Sequence, residues 1–242
     1  MKIFALLKIT SRLVDSIYFL LKMRNMKIAI FDIDNTLIAG DSDLLWGEFL
    51  CERNYVDSET YKTSHKKYYK DYLNGDLDIR DFLKFQLKVL AENDLDLLRK
   101  WRDDFFEVKI RPVILPKARD LIGSHRGRGH DLLIITATNR FIVEPIVAEF
   151  KIENLIACEP EFKNKQYTGE FTGTPSYAEG KVERFNKWLK NRDHQLEESW
   201  FYSDSHNDIP LMKEVDHPVA VDPDDALKLK ATVMRWPIIS LR

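Results

Sequence analysis

Cysteine is nearly absent from this sequence, because Cys51 and Cys158 are the only two among 242 residues. They lie far apart and form no CxxC pair, which excludes a cysteine-based zinc site and fits a reducing compartment. We therefore expect a cytoplasmic protein.

The chain also lacks an excess of charge of either sign. Lys and Arg number 37 and Asp and Glu number 39, for a formal net charge of -2. No overall field therefore favours nucleic acid or an anionic membrane, and we expect no nucleic-acid partner. A small charged substrate remains compatible with this balance.

Long hydrophobic runs are missing as well, even in the apolar first 26 residues. Lys8, Arg12 and Asp15 interrupt this segment, so no stretch approaches the roughly 18 to 20 residues that a transmembrane helix requires. The apolar run before Lys8 is also too short for a signal peptide. We therefore expect neither a transmembrane span nor a cleaved leader.

Residues 1–26 have the spacing of an amphipathic helix, and we interpret them as an N-terminal extension. The extension could pack on the domain or contact a partner. Peripheral membrane contact through residues 1–22 is a further alternative, which the composition does not favour. Another alternative is that translation begins at Met23 or Met26, so that the segment is not made.

The sequence does contain enough hydrophobic residues, 44%, to form the core of one domain or of one domain with an insertion. Short β-rich apolar runs each end at a polar cluster, and helical patterns lie between them. This alternation indicates an α/β fold with a parallel sheet, whose ligands bind beyond the carboxyl ends of the strands. The strands are predicted at 27–32, 131–138, 199–205 and 217–222, with a β-hairpin over 161–173.

Residues 42–113 break the alternation, because they are poor in β-like runs and rich in helical patterns. An insertion after the first strand would overhang the sheet edge, where a cap closing over a substrate is expected. We predict helices near 44–53, 58–73, 79–90 and 95–107. The predicted domains are the extension 1–26, the core 27–41 with 114–242, and the helical cap 42–113.

Two acids, Asp32 and Asp34, follow the first strand in FDIDNTL. Their mutual repulsion needs compensation, which a hard divalent cation bound by oxygen atoms would supply. Mg²⁺ suits this position because it takes one or two protein carboxylates together with a substrate phosphate. Asp204 and Asp208, in SDSHND at the end of another strand, are candidates for a further carboxylate.

Thr136 and Lys181 are candidate phosphate-binding residues. Thr136 ends the strand DLLIIT and offers a hydroxyl and a backbone N–H. Lys181 begins a helix and adds its charge to the field of the helix N-terminus. With the acids, these residues complete the groups that a phosphate ester requires, namely a nucleophile, an acid, charge neutralisation and metal carboxylates.

FDIDNTL, Thr136, Lys181 and SDSHND together resemble the four motifs of the haloacid dehalogenase superfamily of aspartate-nucleophile phosphatases. The resemblance covers about residues 27–240. The helical insertion resembles the type I cap of the phosphoserine-phosphatase-like branch, subfamily IB. The resemblance implies a Rossmann-like core and a Mg²⁺-dependent phosphomonoesterase acting on a small phosphorylated metabolite.

The resemblance also implies roles for individual residues. Asp32 would attack phosphorus to give an aspartyl-phosphate, and Asp34 would protonate the leaving group and then activate water. The Asp32 carboxylate, the Asp34 carbonyl and Asp204 would hold Mg²⁺. Thr136 and Lys181 would hold the phosphoryl oxygens. Asp208 would position Lys181 or a metal-bound water, and Asn207 would line the site.

The resemblance bears on the substrate as well. Asp41 takes the place of the acid with which phosphoserine phosphatases bind the substrate amine, whereas an approximate alignment puts the neutral Gln86 at the place of their carboxylate-binding arginine. A desolvated carboxylate without that partner would cost about 1.5 to 3 kcal/mol. Histidinol phosphate or another amino-alcohol phosphate therefore fits better than phosphoserine, unless Arg80 or Lys84 replaces the arginine.

Alternatives to hydrolysis remain open at this point. The same intermediate could pass its phosphoryl group to an acceptor other than water, which would make the protein a phosphotransferase. A non-catalytic, membrane-associated protein would instead use residues 1–22 and keep a vestigial pocket. Dehalogenase chemistry needs no acid at position 34, so Asp34 argues against it.

An aromatic cluster with helical spacing occurs in the predicted cap. We expect its members to pack within the cap, and the alternative is a stacking contribution to substrate binding. The cluster consists of Tyr61, His65, Tyr68, Tyr69 and Tyr72.

Overall fold

The computed structural model describes residues 24–192 and 194–242, and it has the predicted α/β architecture. The strands of this part of the chain form one sheet in the order β4-β3-β2-β1-β5-β6-β7, parallel except between β3 and β4. The strands are β1 (Arg24–Phe31), β2 (Asp131–Asn139), β3 (Asn154–Lys163), β4 (Gln166–Thr172), β5 (His194–Ser203), β6 (His217–Val221) and β7 (Ile238–Ile239).

Residues 1–23 lie outside the described residues, and so does most of the predicted extension. The strand β1 already begins at Arg24, three residues before its predicted start. In the ranges 24–192 and 194–242, no helix is long and apolar enough to cross a membrane.

The insertion after β1 is helical, as predicted. It contains α1 (Ser42–Glu52), α2 (Ser58–Asn74), α3 (Ile79–Ala91) and α4 (Leu95–Phe105), followed by a π-helical turn (Phe106–Ile110) and a 3₁₀ turn (Arg111–Val113). The core helices are α5 (Pro116–Gly127), α6 (Arg140–Glu149), α7 (Glu179–Lys190), α8 (Ile209–Met212) and α9 (Asp225–Met234).

Aspartates set the starts of three cap helices. Asp41, Asp57 and Asp78 are N-caps whose side chains accept hydrogen bonds from backbone N–H groups in the first turns of α1, α2 and α3. The two segments that connect the cap to the core lie side by side, because the Ala39 N–H donates to the Val113 carbonyl at 2.7 Å. The start and the end of the insertion are therefore joined next to the loop that follows β1.

The strand β1 is buried on both faces, as its continuous apolar sequence requires. Ala29 and Phe31 belong to the cluster that includes α5, α6 and cap side chains, whereas Ile28 and Ile30 pack with α7, α8 and α9. This central strand is held on both sides, and its carboxyl end is a rigid support for the residues that follow it.

A buried histidine that packs against Phe31 and Tyr202 makes stability depend on pH. His125 in α5 lies with its Nε2 2.8 Å from the Tyr202 hydroxyl and its Nδ1 2.9 Å from His130 Nδ1. Burial, with the nearby His130 and Arg128, lowers the pKa of His125 to about 4. The unfolded chain, with a histidine pKa of about 6.5, therefore binds the proton more readily, and protonation favours unfolding as the pH falls from 6.5 towards 4.

We expect the contribution of His125 to the free energy of unfolding to fall by about 2 kcal/mol between pH 7 and pH 4.5. Urea unfolding of the wild type and of His125→Gln at both pH values measures it, because the difference between the two proteins removes the titration of groups that do not contact His125. A difference that does not change with pH would contradict this assignment.

Candidate active site

The first and last acidic motifs meet because their strands are neighbours. Asp32 follows β1, Asp204 follows β5, and Phe31 pairs with Tyr202 in the parallel ladder between these strands. The Asp32 N–H continues that ladder by donating to the Tyr202 carbonyl at 3.0 Å. Both acids therefore project from the same edge of the sheet.

Lys181 reaches this edge from the first turn of α7 on the other side of the crevice. Its Nζ lies 2.9 Å from Asp32 Oδ1 and 2.7 Å from the Asp208 carboxylate, and the side chain is buried. Burial acts to lower the pKa of Lys181, but Asp208 and Asp32 together raise it above its ordinary value. The lysine is thus held in its charged form between two acids.

The turn that delivers Lys181 depends on the glycine before it. A Cβ on Gly180 would lie 2.0 Å from the Pro175 carbonyl oxygen, a distance that no side chain tolerates. Ala178, the residue before α7, has a positive φ of 47°. The sequence AEGK therefore builds a tight entry that places the lysine at the site.

Asp34 is held by hydrogen bonds to both of its oxygens. Oδ1 accepts from the Ser42 N–H at 2.6 Å, and Oδ2 accepts from the Thr138 hydroxyl at 2.9 Å. Burial and the charge of Asp41 raise the pKa of Asp34 to about 7, against the lowering effect of these donors. A carboxyl with this pKa can give up and take back a proton near neutral pH, as a general acid and base must.

Three acids, of which Asp32 and Asp208 are buried and Asp204 is half-buried, crowd together where β1 and β5 end. Burial raises the pKa of Asp32 to about 7 even though Lys181 opposes it, and burial with Asp32 and Asp208 raises the pKa of Asp204 well above its usual range. The Thr36 hydroxyl donates to Asp204 Oδ1 at 3.1 Å. Such a cluster of oxygens, with one lysine for several acids, has the chemistry of a site for a hard cation.

The donor set fits Mg²⁺ in particular. The expected ligands are two carboxylates, of Asp32 and Asp204, and one backbone carbonyl, of Asp34, which leaves room for water and substrate. In the described ranges no group of three or more His, Cys, Asp and Glu side chains is arranged around one metal position. This is compatible with a site that has only two side-chain ligands.

The predicted phosphate-binding residues lie around one cavity below the cap, with about 630 Å³ of empty space including its open mouth. Thr136 is buried at the end of β2, and Asn207 accepts a hydrogen bond from the Tyr177 hydroxyl at 3.0 Å. Asp208 accepts a second bond, from the Ser203 hydroxyl at 2.7 Å. The residues of the set that line the cavity are Asp32, Asp34, Asp41, Thr136, Lys181, Asn207 and Asp208.

The residues that the alignment suggests for substrate binding lie in different places. Asp41 lines the cavity while its Oδ1 caps α1 by accepting from the Leu44 N–H at 2.9 Å. Gln86 instead lies in the interior of the cap, where its Oε1 accepts from the Tyr61 hydroxyl at 3.2 Å. Arg80 and Lys84 are exposed and do not line this cavity.

The aromatic cluster of the cap is divided between the cap interior and the cavity. Tyr61 is buried and packs on Phe85. His65 and the tyrosines that follow it in α2 line the cavity, which keeps a stacking contribution to substrate binding open as a prediction. The cavity-lining members are His65, Tyr68, Tyr69 and Tyr72.

Sequence reasoning did not single out Asp43 and Thr138 among the residues that line the cavity. Asp43 in α1 and Thr138 at the end of β2 are buried and joined by a hydrogen bond of 3.1 Å between Thr138 Oγ1 and Asp43 Oδ2. Only their position in the sequence could have indicated them, because each lies two residues after a predicted site residue, Asp41 or Thr136. Neither residue type is distinctive without the fold.

The fold and this site define a hydrolase with a parallel α/β core, a helical cap, and a buried lysine among acids at the carboxyl ends of the strands. The family model for haloacid dehalogenase-like hydrolases matches residues 29–213. The chain belongs to this family.

Known proteins give the activity class. The chain is 42% identical over 224 residues to a histidinol-phosphatase from Neisseria meningitidis serogroup C (strain 8013), covering 91% of this chain and 100% of that protein. With the family assignment, this supports a phosphatase, and the non-catalytic alternative is not retained.

Solved structures agree on the fold. A crystal structure of a protein of unknown function from Bordetella pertussis Tohama I has a TM-score of 0.85 and 35% identity, covering 90% of this chain and all of that one. A phosphoserine phosphatase with an analogue of its phospho-aspartyl intermediate has a TM-score of 0.66 and 19% identity, covering 90% of this chain and 95% of that one. The second likeness concerns the fold alone.

Proposed function

We propose that this protein is a Mg²⁺-dependent phosphatase of an amino-alcohol phosphate, with histidinol phosphate as the favoured substrate. The observation that carries the proposal is the distribution of charged side chains around the cavity. Among its lining residues in the described chain, Lys181 is the only lysine or arginine, and it is already paired with Asp32 and Asp208. Asp41 and Asp43 line the wall formed by the start of α1.

This division favours a substrate with a phosphate at one end and a cationic group at the other. A phosphoserine carboxylate would lack a charged partner in the cavity and would be repelled by Asp41 and Asp43, a loss of about 1.5 to 3 kcal/mol when desolvated. The histidinol-phosphatase relative from Neisseria meningitidis supports the same choice. The cavity residues Tyr68 and Phe82 also offer aromatic surface for a ring on the substrate.

In the first chemical step, an oxygen of Asp32 attacks phosphorus as the bond from phosphorus to the ester oxygen breaks. Lys181 holds Asp32 through Oδ1, and we assign Oδ2 to the attack. Asp34, which carries a proton near neutral pH, gives it to the departing alkoxide. The products are the free alcohol and an aspartyl-phosphate.

In the second step, water attacks the phosphorus of the aspartyl-phosphate. Asp34, now ionised, takes a proton from that water, and the bond from phosphorus to the Asp32 oxygen breaks to release inorganic phosphate. Lys181 and Thr136 contact the phosphoryl oxygens in both steps. Asp208, 2.7 Å from Lys181, positions the lysine.

The Asp32 carboxylate, the Asp34 carbonyl and Asp204 would hold Mg²⁺, with Thr36 fixing Asp204 through its hydroxyl. When bound, the ion supplies positive charge that stabilises the phosphoryl oxygens and relieves the repulsion among the acids. The proposal also includes a cytoplasmic location, which suits the two free, buried cysteines.

The test is a panel of phosphorylated metabolites given to the purified protein with Mg²⁺ and, separately, with EDTA. We expect phosphate release from histidinol phosphate, weaker release from phosphocholine and phosphoserine, and little release from sugar phosphates. EDTA should abolish the activity and excess Mg²⁺ should restore it.

Measuring free phosphate against phosphorylated acceptor separates hydrolysis from phosphotransfer in the same assay. Equal amounts of alcohol and free phosphate support the hydrolase. Activity that survives EDTA, or a preference for sugar phosphates, would contradict the proposal.

A further inference from the structure

We infer that Asp43 is a specificity-determining residue whose Oδ1 accepts a hydrogen bond from a ring N–H of the substrate. The inference rests on the proposed function and assigns a residue to the recognition of the substrate's nitrogen heterocycle. It separates that recognition from the binding of the substrate amine, for which Asp41 is the candidate.

The unsatisfied oxygen of Asp43 is the first observation. The residue is 9% exposed and lines the cavity, and its Oδ2 lies 3.1 Å from Thr138 Oγ1. Oδ1 is buried and has no hydrogen-bond partner in the described part of the chain. Because buried polar groups are almost always paired, an unpaired oxygen at a cavity wall calls for a partner that the ligand brings.

The charge around Asp43 indicates the kind of partner. Burial, as the largest effect, and the charges of Asp41 and Asp34 raise the pKa of Asp43 well above its usual range, against the lowering effect of Thr138. An N–H donor, and above all one that carries positive charge, would relieve this unfavourable environment. A phosphate or carboxylate oxygen would make it worse.

The aromatic lining of the same cavity favours a planar group, and it reaches Asp43 through His65, whose ring centroid lies 6.3 Å from that of Phe82. Tyr68 and Phe82 line the cavity with ring centroids 5.5 Å apart, and Tyr69 and Tyr72 add further aromatic surface. Flat rings with N–H groups, such as imidazole, can stack on such surfaces while donating a hydrogen bond in their own plane. An acceptor beside an aromatic wall therefore matches a heterocycle better than it matches an aliphatic amine.

Asp43 is held firmly enough to select a ligand. Its backbone carbonyl lies 3.2 Å from His65 Nε2, and His65 is in turn 3.4 Å from Gln86 Nε2. Its side chain is fixed from the other side by Thr138. The neutral Gln86 thus supports the wall of the pocket from behind, rather than contacting a substrate carboxylate.

The test is the ratio of kcat/KM for histidinol phosphate to kcat/KM for phosphoethanolamine, which has the amine but no ring. Asp43→Asn keeps the shape of the side chain, removes its negative charge and replaces one of its two oxygens with an NH₂ donor. We expect the ratio to fall about tenfold or more, mainly through KM for histidinol phosphate.

The matched control is Asp103→Asn, which removes an exposed acid of the cap and should keep the wild-type ratio. Asp41→Asn should lower kcat/KM for both substrates, because both carry the amine. If Asp43→Asn lowers kcat/KM equally for both substrates, Asp43 acts through Thr138 on the chemistry and the inference is wrong.

A substrate-side measurement covers the case in which Asp43→Asn does not fold. The wild-type protein is given the two ring-N-methylated forms of histidinol phosphate, each of which has one ring nitrogen blocked. At least one form should lose about tenfold in kcat/KM. Full activity on both would overturn the inference while leaving the proposed function intact, and no activity on histidinol phosphate itself would overturn both.

Discussion

Asp32→Asn is expected to lower kcat by on the order of 10⁴-fold or more with every phosphate ester. The amide nitrogen and oxygen of asparagine are poor nucleophiles towards phosphorus, so the covalent step is lost. Lys181 keeps its pair with Asp208, and burial already makes the ionised Asp32 unfavourable, so the variant should fold normally. Steady-state phosphate release and a thermal melt measure the two properties together.

The control for this variant is Asp120→Asn, the same chemical change at an exposed position in α5. It should retain wild-type activity and stability. Near-normal turnover by Asp32→Asn would mean that another group attacks phosphorus, and the assignment of the nucleophile would be wrong.

Asp34→Asn is expected to separate the two chemical steps. With p-nitrophenyl phosphate the leaving group needs no protonation, so the first step proceeds and Asp32 becomes phosphorylated. Water then has no general base, and turnover should fall by about 10² to 10⁴-fold. A stopped-flow trace should show a burst of about one p-nitrophenol per protein, followed by slow release.

The same variant should be impaired in the first step with histidinol phosphate, because an alkoxide leaving group does need the proton. No burst of alcohol is therefore expected with that substrate. Equal slowing of both substrates without any burst would indicate that Asp34 positions the site instead of transferring protons. Thr138→Val, which removes a hydrogen bond to Asp34 Oδ2, should show a weaker form of the same pattern.

The chemical core of the site could be predicted from sequence because strand ends are predictable. Four apolar runs ended in polar motifs, and a parallel sheet brings those ends to one edge whatever the details of the loops. Asp32 and Asp204 meet for this reason, and Lys181 reaches them from a recognisable helix start. The parallel start of β3 and the short edge strand β7 were not predicted, because Asn154–Lys163 is interrupted by polar residues and Ile238–Ile239 is only two residues long.

The substrate half of the site was harder to predict because it depends on how the cap packs. Helical spacing places Gln86 and Tyr68 on a helix, but it does not say which face of the cap meets the core. Gln86 faces inward to Tyr61, whereas Tyr68 faces the cavity. Asp43 becomes notable only when its burial and its unpaired oxygen are visible.

In the proposed function, the two ends of the cavity bind substrate groups of opposite charge. Lys181, together with Mg²⁺ when it is bound, would hold the phosphate, and Asp41 and Asp43 would face the cationic group. A substrate that carries an amine and a ring but no carboxylate satisfies both ends. This is the central claim, and it concerns selectivity more than rate.

The most direct test of that claim is the ratio of kcat/KM for histidinol phosphate to kcat/KM for phosphoserine, measured with the wild-type protein and Mg²⁺. A missing partner for the carboxylate is worth about 1.5 to 3 kcal/mol, so the ratio should be about 10 to 150 in favour of histidinol phosphate. A ratio of one or less would show that the cavity accepts a carboxylate and would contradict the account.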